Sequence, residues 1–143
     1  MSEFWVRAFG IVEAGALLPH EQVIKEHLVE LIDRIWRDGM LRQPVIVDRA
    51  SMVILDGHHR VSALKKLNCL FIPAYLVDYR DPCIVVHPRR ADIQVDKESV
   101  VRTGLRGVPY PPLTSRHEWP STPDSRPVAL ADLMDDAPRI ATG

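Results

Sequence analysis

The chain has 143 residues, of which 46% are hydrophobic and 26% are charged, and its formal net charge is −1. This length and balance are typical of one soluble domain with a single packed core. A nearly neutral chain has no overall positive field that would attract nucleic acid or an anionic membrane surface. Any anion-binding site must therefore be local.

The sequence has no features of an exported or membrane-inserted protein. Its two cysteines, Cys69 and Cys83, are too few and too unpatterned for a disulfide framework or a zinc site. No apolar run approaches the roughly 20 residues that cross a bilayer, and no N-terminal apolar segment resembles a signal peptide. We therefore expect a cytoplasmic protein that does not enter a membrane.

The N-terminal half of the chain is predicted to contain a strand, a long helix and a hairpin. Residues 4–12 are apolar and β-prone. A helix is expected to begin at Pro19, which suits a first helical turn, and to end at Gly39. Two short apolar strands follow, at residues 44–47 and 52–55, and they are expected to pair across a polar turn.

The second half begins with a helical pattern directly after Gly57. Further strands are predicted at residues 70–77 and 83–86, and a short helix from Lys97 to Thr103 is predicted to stop at Gly104. From residue 118 the chain is rich in proline and small polar residues. We predict a domain over residues 1–117 and a flexible tail over 118–143 that carries at most a short helix near residues 130–134.

A strand-to-helix junction carries the most polar groups. The sequence there is Asp56-Gly57-His58-His59-Arg60. A helix N-terminus offers unpaired N–H groups and a positive dipole end to an anion. Glycine lets the backbone approach closely, and arginine and histidine side chains donate hydrogen bonds to phosphate oxygens. Asp56 would repel bare phosphate, but it fits a site that holds Mg²⁺ or orients a substrate hydroxyl.

A plain structural explanation of this junction is also open, because Asp-Gly is a common turn and Asp56 could cap the helix. Two other segments favour an anion site. Leu17-Leu18-Pro19-His20-Glu21 places an imidazole and a carboxylate at the predicted start of the first helix, where capping is again an alternative. Thr114-Ser115-Arg116-His117 supplies hydroxyls, a guanidinium and an imidazole in a proline-stiffened loop.

Four stretches in this order resemble the free serine kinases of the ParB/sulfiredoxin-like superfamily: "LLPHE", "ILDGHHRVSAL", "IPAYLVDY" and "PYPPLTSRH". The resemblance extends over residues 9–117. It implies an α/β (α+β) fold in which a small mixed sheet is flanked by helices. It also implies an enzyme that transfers a phosphoryl group from ATP or ADP, with Mg²⁺, to the hydroxyl of free L-serine or a related hydroxylated amino acid.

The resemblance also implies roles for individual residues. Glu21 would be the general base, and Asp56 would assist it or hold the metal, with His59 as a third catalytic residue. Two groups would bind the nucleotide, the transferred phosphate or the amino-acid carboxylate: Gly57, His58, His59 and Arg60 in the first, and Thr114, Ser115, Arg116 and His117 in the second.

Two other readings remain open. A ParB-like nucleotide-binding switch would act on DNA or a protein partner without turnover, although the chain shows no helix-turn-helix region and DNA binding is unlikely on this ground. The chain could also be a degenerate domain of this fold that binds no ligand. Sulfiredoxin chemistry is disfavoured, because His58 occupies the position of the nucleophilic cysteine. A homodimer is compatible with the sequence.

Overall fold

A computed structural model describes residues 4–134, which form a mixed sheet flanked by helices. The elements are, in chain order, β1 (Val6–Glu13), a 3-10 turn (Ala14–Ala16), α1 (Lys25–Asp38), β2 (Met40–Leu41), β3 (Val45–Asp48), β4 (Ile54–Asp56), α2 (His58–Lys66), β5 (Phe71–Val77), β6 (Val85–Pro88), α3 (Lys97–Arg106), β7 (Ser115–Glu118), β8 (Val128–Ala129) and α4 (Leu130–Met134). The predicted fold class is confirmed. Within residues 4–134, no helix has both the length and the apolar character needed to cross a membrane.

The central sheet has four strands in the order β1-β5-β3-β4. Strand β3 pairs parallel with β5 and antiparallel with β4, and β1 pairs antiparallel with β5. The predicted hairpin is confirmed, with its strands at β3 and β4. Two small ribbons, β2 with β8 and β6 with β7, lie beside this sheet.

Apolar side chains of the sheet are buried on both faces, because successive residues of a strand point to opposite sides. Val45 and Val47 of β3 belong to one core cluster, which also contains buried residues of α1, α2 and α4. Ile46, between them, belongs to a second cluster with Trp5 and with Val100 of α3. The sheet is therefore a middle layer, and α1 and α2 cover one face while α3 covers the other.

The first helix begins later than predicted. Residues 17–24 run extended instead of continuing the helix back to Pro19. On one side the carbonyl of Leu18 accepts the amide of Ile54, 2.9 Å away, and on the other side the segment bonds to the backbone of Tyr110. These backbone groups are used by distant parts of the chain, so they are not available for a helical turn.

The third helix ends later than predicted. It continues through Gly104 to Arg106, and Gly107 ends it in the left-handed conformation with φ of 75°. A Cβ atom built on Gly104 would lie 2.7 Å from Cγ2 of Val53. Glycine at this position therefore lets α3 pack directly against the hairpin. Strand β6 also lies slightly later than the predicted residues 83–86.

The C-terminal part of the described chain is packed against the domain. The short helix expected near residues 130–134 is present as α4, and its Leu130 and Leu133 are buried in the first core cluster. The hydroxyl of Tyr75 donates to the carbonyl of Asp124 at 2.8 Å. The predicted flexible tail is therefore wrong for residues 118–134, because its few apolar side chains complete a core formed by distant elements. Residues 135–143 lie outside the described residues.

Replacing Gly104 by alanine tests the close packing of α3. Glycine to alanine in a helix interior normally stabilises a protein by about 1 kcal/mol. Here we expect the opposite, a loss of about 1–3 kcal/mol, because the added methyl group overpacks against Val53. Chemical denaturation of the variant measures the free energy of unfolding directly.

The double variant Gly104→Ala, Val53→Ala provides the control for this prediction. Val53 is fully buried, so its truncation alone costs stability. If the two side chains compete for the same space, the double variant loses less than the two single losses added together. Additive losses, or a more stable Gly104→Ala variant, would contradict the packing explanation.

Truncation of Leu133 tests whether α4 belongs to the core. Leu133 is 0% exposed, so Leu133→Ala is expected to lower the free energy of unfolding by about 2–5 kcal/mol. The matched control is Leu105→Ala on α3, where the side chain is 60% exposed and truncation should change little. Equal, small effects of both variants would mean that the C-terminal segment is not part of the folded core.

Candidate functional site

A cavity of about 470 Å³ brings together residues from three distant segments. The segments are the extended stretch before α1, the junction between β4 and α2, and the start of β7. Its lining includes nine of the ten residues predicted from the sequence: Glu21, Asp56, Gly57, His58, His59, Arg60, Ser115, Arg116 and His117. A larger cavity of about 750 Å³, between α3 and the hairpin turn, contains none of them.

Thr114 is the predicted residue that does not line this cavity. Its side chain is fully buried, and its hydroxyl donates to the carbonyl of Pro111 at 2.6 Å. The hydroxyl of Thr114 is therefore used within the protein, and a contact of Thr114 with the ligand stays a prediction. Its backbone N–H, however, donates to Glu21, so it still contributes to the site.

The junction at Gly57 leaves the N-terminus of α2 open. Gly57 has φ of 104°, and a Cβ atom there would lie 2.5 Å from Cγ1 of Val45. No side chain caps the first turn of α2. The alternative in which Asp56 is a helix cap is thus wrong, and the N–H groups of the first turn remain able to bind an anion.

His58 and His59 fix the segment that carries Glu21. The Nε2 atom of His58 accepts the backbone N–H of His20 at 3.1 Å, and Nε2 of His59 accepts that of Ile24 at 2.9 Å. Burial lowers the pKa of His58 well below its usual value and also lowers that of His59. Both rings are therefore neutral near pH 7, and because Nε2 accepts, each carries its proton on Nδ1.

Arg60 is used largely by the protein itself. One terminal nitrogen donates to the carbonyls of Gln43 and Pro44, at 2.8 and 2.9 Å, and the other donates to the carboxylate of Asp56 at 3.3 Å. Its side chain is 19% exposed. Arg60 therefore anchors the chain before β3, which leaves little of its guanidinium for the phosphate contact predicted from the sequence.

Glu21 is held against the start of β7 through one carboxylate oxygen. Its Oε1 accepts the N–H groups of Thr114 and Ser115, at 3.2 and 3.0 Å, and the hydroxyl of Ser115 at 3.0 Å. No hydrogen bond to its Oε2 occurs within residues 4–134. The two backbone N–H groups thus orient the carboxylate, with the Ser115 hydroxyl also within hydrogen-bond distance of Oε1, and the other oxygen is kept for a substrate.

Two further histidines form one wall of the site: His117 lines the cavity, and His20 lies behind the hydroxyl of Ser115. His20 is fully buried and lies between the carbonyl of Ile54 and the hydroxyl of Ser115. The hydroxyl of Tyr79 forms a hydrogen bond with Nε2 of His117 at 2.8 Å, and the ring of His117 stacks on Trp119. Burial lowers the pKa of His20 and is the largest cause that lowers the pKa of His117 to about 3. This wall is therefore uncharged at neutral pH.

The charged donors of the site are arginines. Arg89 and Arg116 both line the cavity, are exposed, and have no ion-pair partner within residues 4–134. Arg89 was not predicted as a site residue. The sequence shows only an Arg-Arg pair after β6, and its position depends on a backbone bond from Arg89 to the carbonyl of Thr114 at 2.9 Å.

The sequence is similar to two kinds of curated protein, although no family model matches it. An ATP-dependent L-serine kinase of Staphylothermus marinus is 33% identical over 75 residues, which are 50% of this chain and 30% of the relative. A ParB-like protein of Sulfolobus acidocaldarius is 41% identical over 95 residues, 66% of this chain and 46% of the relative. The chain thus spans less than half the length of either relative.

The fold is that of solved serine kinases. A free serine kinase variant solved in complex with ADP superposes with a TM-score of 0.81, and the alignment covers 88% of this chain and 94% of that one at 17% identity. At this identity, the superposition establishes the fold. By sequence, the chain is similar to ATP-dependent L-serine kinases and to a ParB-like protein, and by fold it matches solved serine kinases.

Proposed function

We propose that this chain is a small-molecule kinase that transfers a phosphoryl group from ATP or ADP to the hydroxyl of free L-serine or a related hydroxylated amino acid. The observation that carries the proposal is the position of Glu21. Its oriented carboxylate lines the same cavity as the uncapped N-terminus of α2. A base and a phosphate site on one cavity are what phosphoryl transfer to a hydroxyl requires.

The donor phosphates are assigned to the N-terminus of α2. The N–H groups of its first turn and the Nδ1–H groups of His58 and His59 supply neutral donors, and Arg89 and Arg116 supply positive charge. Such fixed donors favour the charge that spreads over the phosphoryl oxygens in the transition state. In this assignment, His59 positions the segment that carries the base and binds phosphate. It does not transfer a proton itself.

Glu21 is assigned as the general base. The acceptor's hydroxyl oxygen forms a bond to the terminal phosphorus, the bond from that phosphorus to the bridging oxygen breaks, and the nucleotide leaves one phosphate shorter. The free Oε2 of Glu21 takes the hydroxyl proton. Because the backbone N–H groups of Thr114 and Ser115 hold Oε1, the carboxylate meets the substrate in one orientation.

Mg²⁺ is assigned to Asp56 together with the nucleotide. No group of three or more His, Cys, Asp or Glu side chains within residues 4–134 forms a metal site on its own. Mg²⁺ bound to a nucleotide needs only one or two carboxylates, because phosphates and water supply the other ligands. Asp56 fits this role, since its side chain is 52% exposed and only its Oδ2 bonds to Arg60. When bound, the ion would neutralise charge on the phosphates.

Replacement of Glu21 by glutamine tests this proposal. The amide oxygen of glutamine can still accept the N–H groups of Thr114 and Ser115, so the site should stay folded, but the amide is not a base. We expect phosphate transfer to fall by about 100-fold or more. The assay combines the protein with Mg²⁺, ATP or ADP and a panel of free amino acids, and mass spectrometry identifies the phosphorylated products.

Glu26→Gln, on the exposed side of α1, is the matched control and should leave transfer unchanged. Nucleotide binding, followed as a shift in melting temperature, should persist in the Glu21 variant. Full activity of that variant would remove Glu21 as the base. A wild-type protein that binds nucleotide but phosphorylates no amino acid would refute the proposed acceptor class.

A ParB-like switch is the second candidate, and the sequence similarity to the ParB-like protein favours it. If the chain binds DNA through phosphate contacts, its affinity must fall as salt rises, because binding releases counterions. A gel-shift titration at several salt concentrations measures this dependence. We expect no shift even at low salt, because the formal net charge is −1. A salt-sensitive shift would favour the switch over the kinase.

A further inference from the structure

The hydroxyl of Ser115 lies between two groups that compete for its single proton. Its Oγ is 3.0 Å from Oε1 of Glu21 and 3.0 Å from Nε2 of His20. A hydroxyl carries one proton and can donate it to only one acceptor at a time. The direction of this hydroxyl therefore depends on which neighbour can act as a donor.

The tautomer of His20 is fixed by its other contact. Its Nδ1 lies 2.7 Å from the carbonyl oxygen of Ile54, which can only accept, so Nδ1 carries a proton. In the neutral ring, Nε2 is then an acceptor that faces Ser115. His20 is 0% exposed, so water cannot replace either contact.

These contacts allow two consistent arrangements. When His20 is neutral, Ser115 donates to Nε2, and Oε1 of Glu21 keeps only its two backbone donors. When His20 is protonated, Nε2–H donates to the Ser115 oxygen, and the Ser115 proton turns to Glu21. A further hydrogen bond stabilises a carboxylate in its charged form and makes it a weaker base.

We propose that His20 and Ser115 are positioning residues of Glu21, and that the Ser115 hydroxyl transmits the protonation state of His20 to that carboxylate. Neither side chain needs to touch the substrate. The catalytic consequence rests on the kinase function proposed above. The hydrogen-bond coupling itself is a property of the protein alone and can be measured without turnover.

The surroundings of His20 are compatible with this role. The ring of His58, on α2, lies 4.5 Å away between centroids, and that of His117, on β7, lies 6.0 Å away. Both neighbours have lowered pKa values and are neutral near pH 7. Glu21 is the charged group that faces His20 through Ser115. Burial lowers the pKa of His20, while the Ile54 carbonyl and the Glu21 charge act in the opposite direction.

The first measurement is a nuclear magnetic resonance titration of the full chain with ¹⁵N-labelled histidine. In the wild-type protein, neutral His20 should carry its proton on Nδ1. Ser115→Ala should lower the pKa of His20 by about 1, a tenfold loss in proton affinity, because protonated Nε2–H then has no acceptor. A neutral ring protonated on Nε2, or an unchanged titration in Ser115→Ala, would overturn the proposal.

Ser51→Ala is the matched control for the serine substitution. The Ser51 hydroxyl also donates to a carboxylate, Oδ2 of Asp48 at 2.6 Å, but it lies in the hairpin turn away from the site. This variant should leave the titration of His20 unchanged. Ser115 is only partly buried, and the tautomer is read in the wild-type protein, so the test does not depend on a variant that fails to fold.

Kinetics separate this inference from the proposed function. The turnover number of the wild-type kinase should fall as pH drops through the pKa of His20. In Ser115→Ala, and in His20→Asn, whose amide can still donate to Ile54, the part of this fall that follows the pKa of His20 should disappear, with KM for nucleotide unchanged. Unmoved profiles would overturn the positioning role. A wild-type protein without any transfer would refute the kinase, while the titration alone would still decide the coupling.

Discussion

The site depends on how the extended segment of residues 17–24 is tied to its neighbours. Its backbone bonds to Ile54 at the edge of β4 and to Tyr110. Two imidazoles at the start of α2 accept further N–H groups from the same segment. Because a general base must be held within a fraction of an ångström of its substrate, these bonds are the condition for any use of Glu21 in catalysis.

The polar groups of the site fall into two sets, one that bonds within the protein and one that is open to a ligand. Arg60, His58 and His59 direct most of their hydrogen-bonding capacity inward, to carbonyl and N–H groups of the protein. Their contacts preorganise the cavity. In the proposed function, the backbone N–H groups of α2 bind the anion together with Arg89 and Arg116, which have no ion-pair partner within residues 4–134. A buried arginine that donates to two carbonyls of a loop supplies hydrogen bonds that the loop's backbone would otherwise lack.

The packing of the sheet explains why these polar groups can meet at one cavity. Both faces of β3 are buried, and the helices on either side have no freedom to slide without disturbing a close-packed core. At Gly57 and Gly104 the backbone lies so close to Val45 and Val53 that no Cβ atom would fit. These close contacts fix the positions of α2 and α3 relative to the sheet. The residues at the ends of the two helices are therefore held in fixed positions as well.

The sequence by itself determined what depends on neighbouring residues. Short continuous apolar runs specified β3, β4 and β5, and a glycine before a polar and then periodic stretch specified the start of α2. The "DGHHR" junction was recognisable because glycine, imidazoles and a helix N-terminus act together within five residues.

Only the tertiary structure decided the start of α1, the inward use of Arg60 and the packing of α4. It also decided that Glu21 bonds to Thr114, 93 residues away. Hydrogen bonds and core contacts between such distant segments leave no local pattern, because any residue with a suitable donor or apolar side chain satisfies the sequence equally well before the chain is folded.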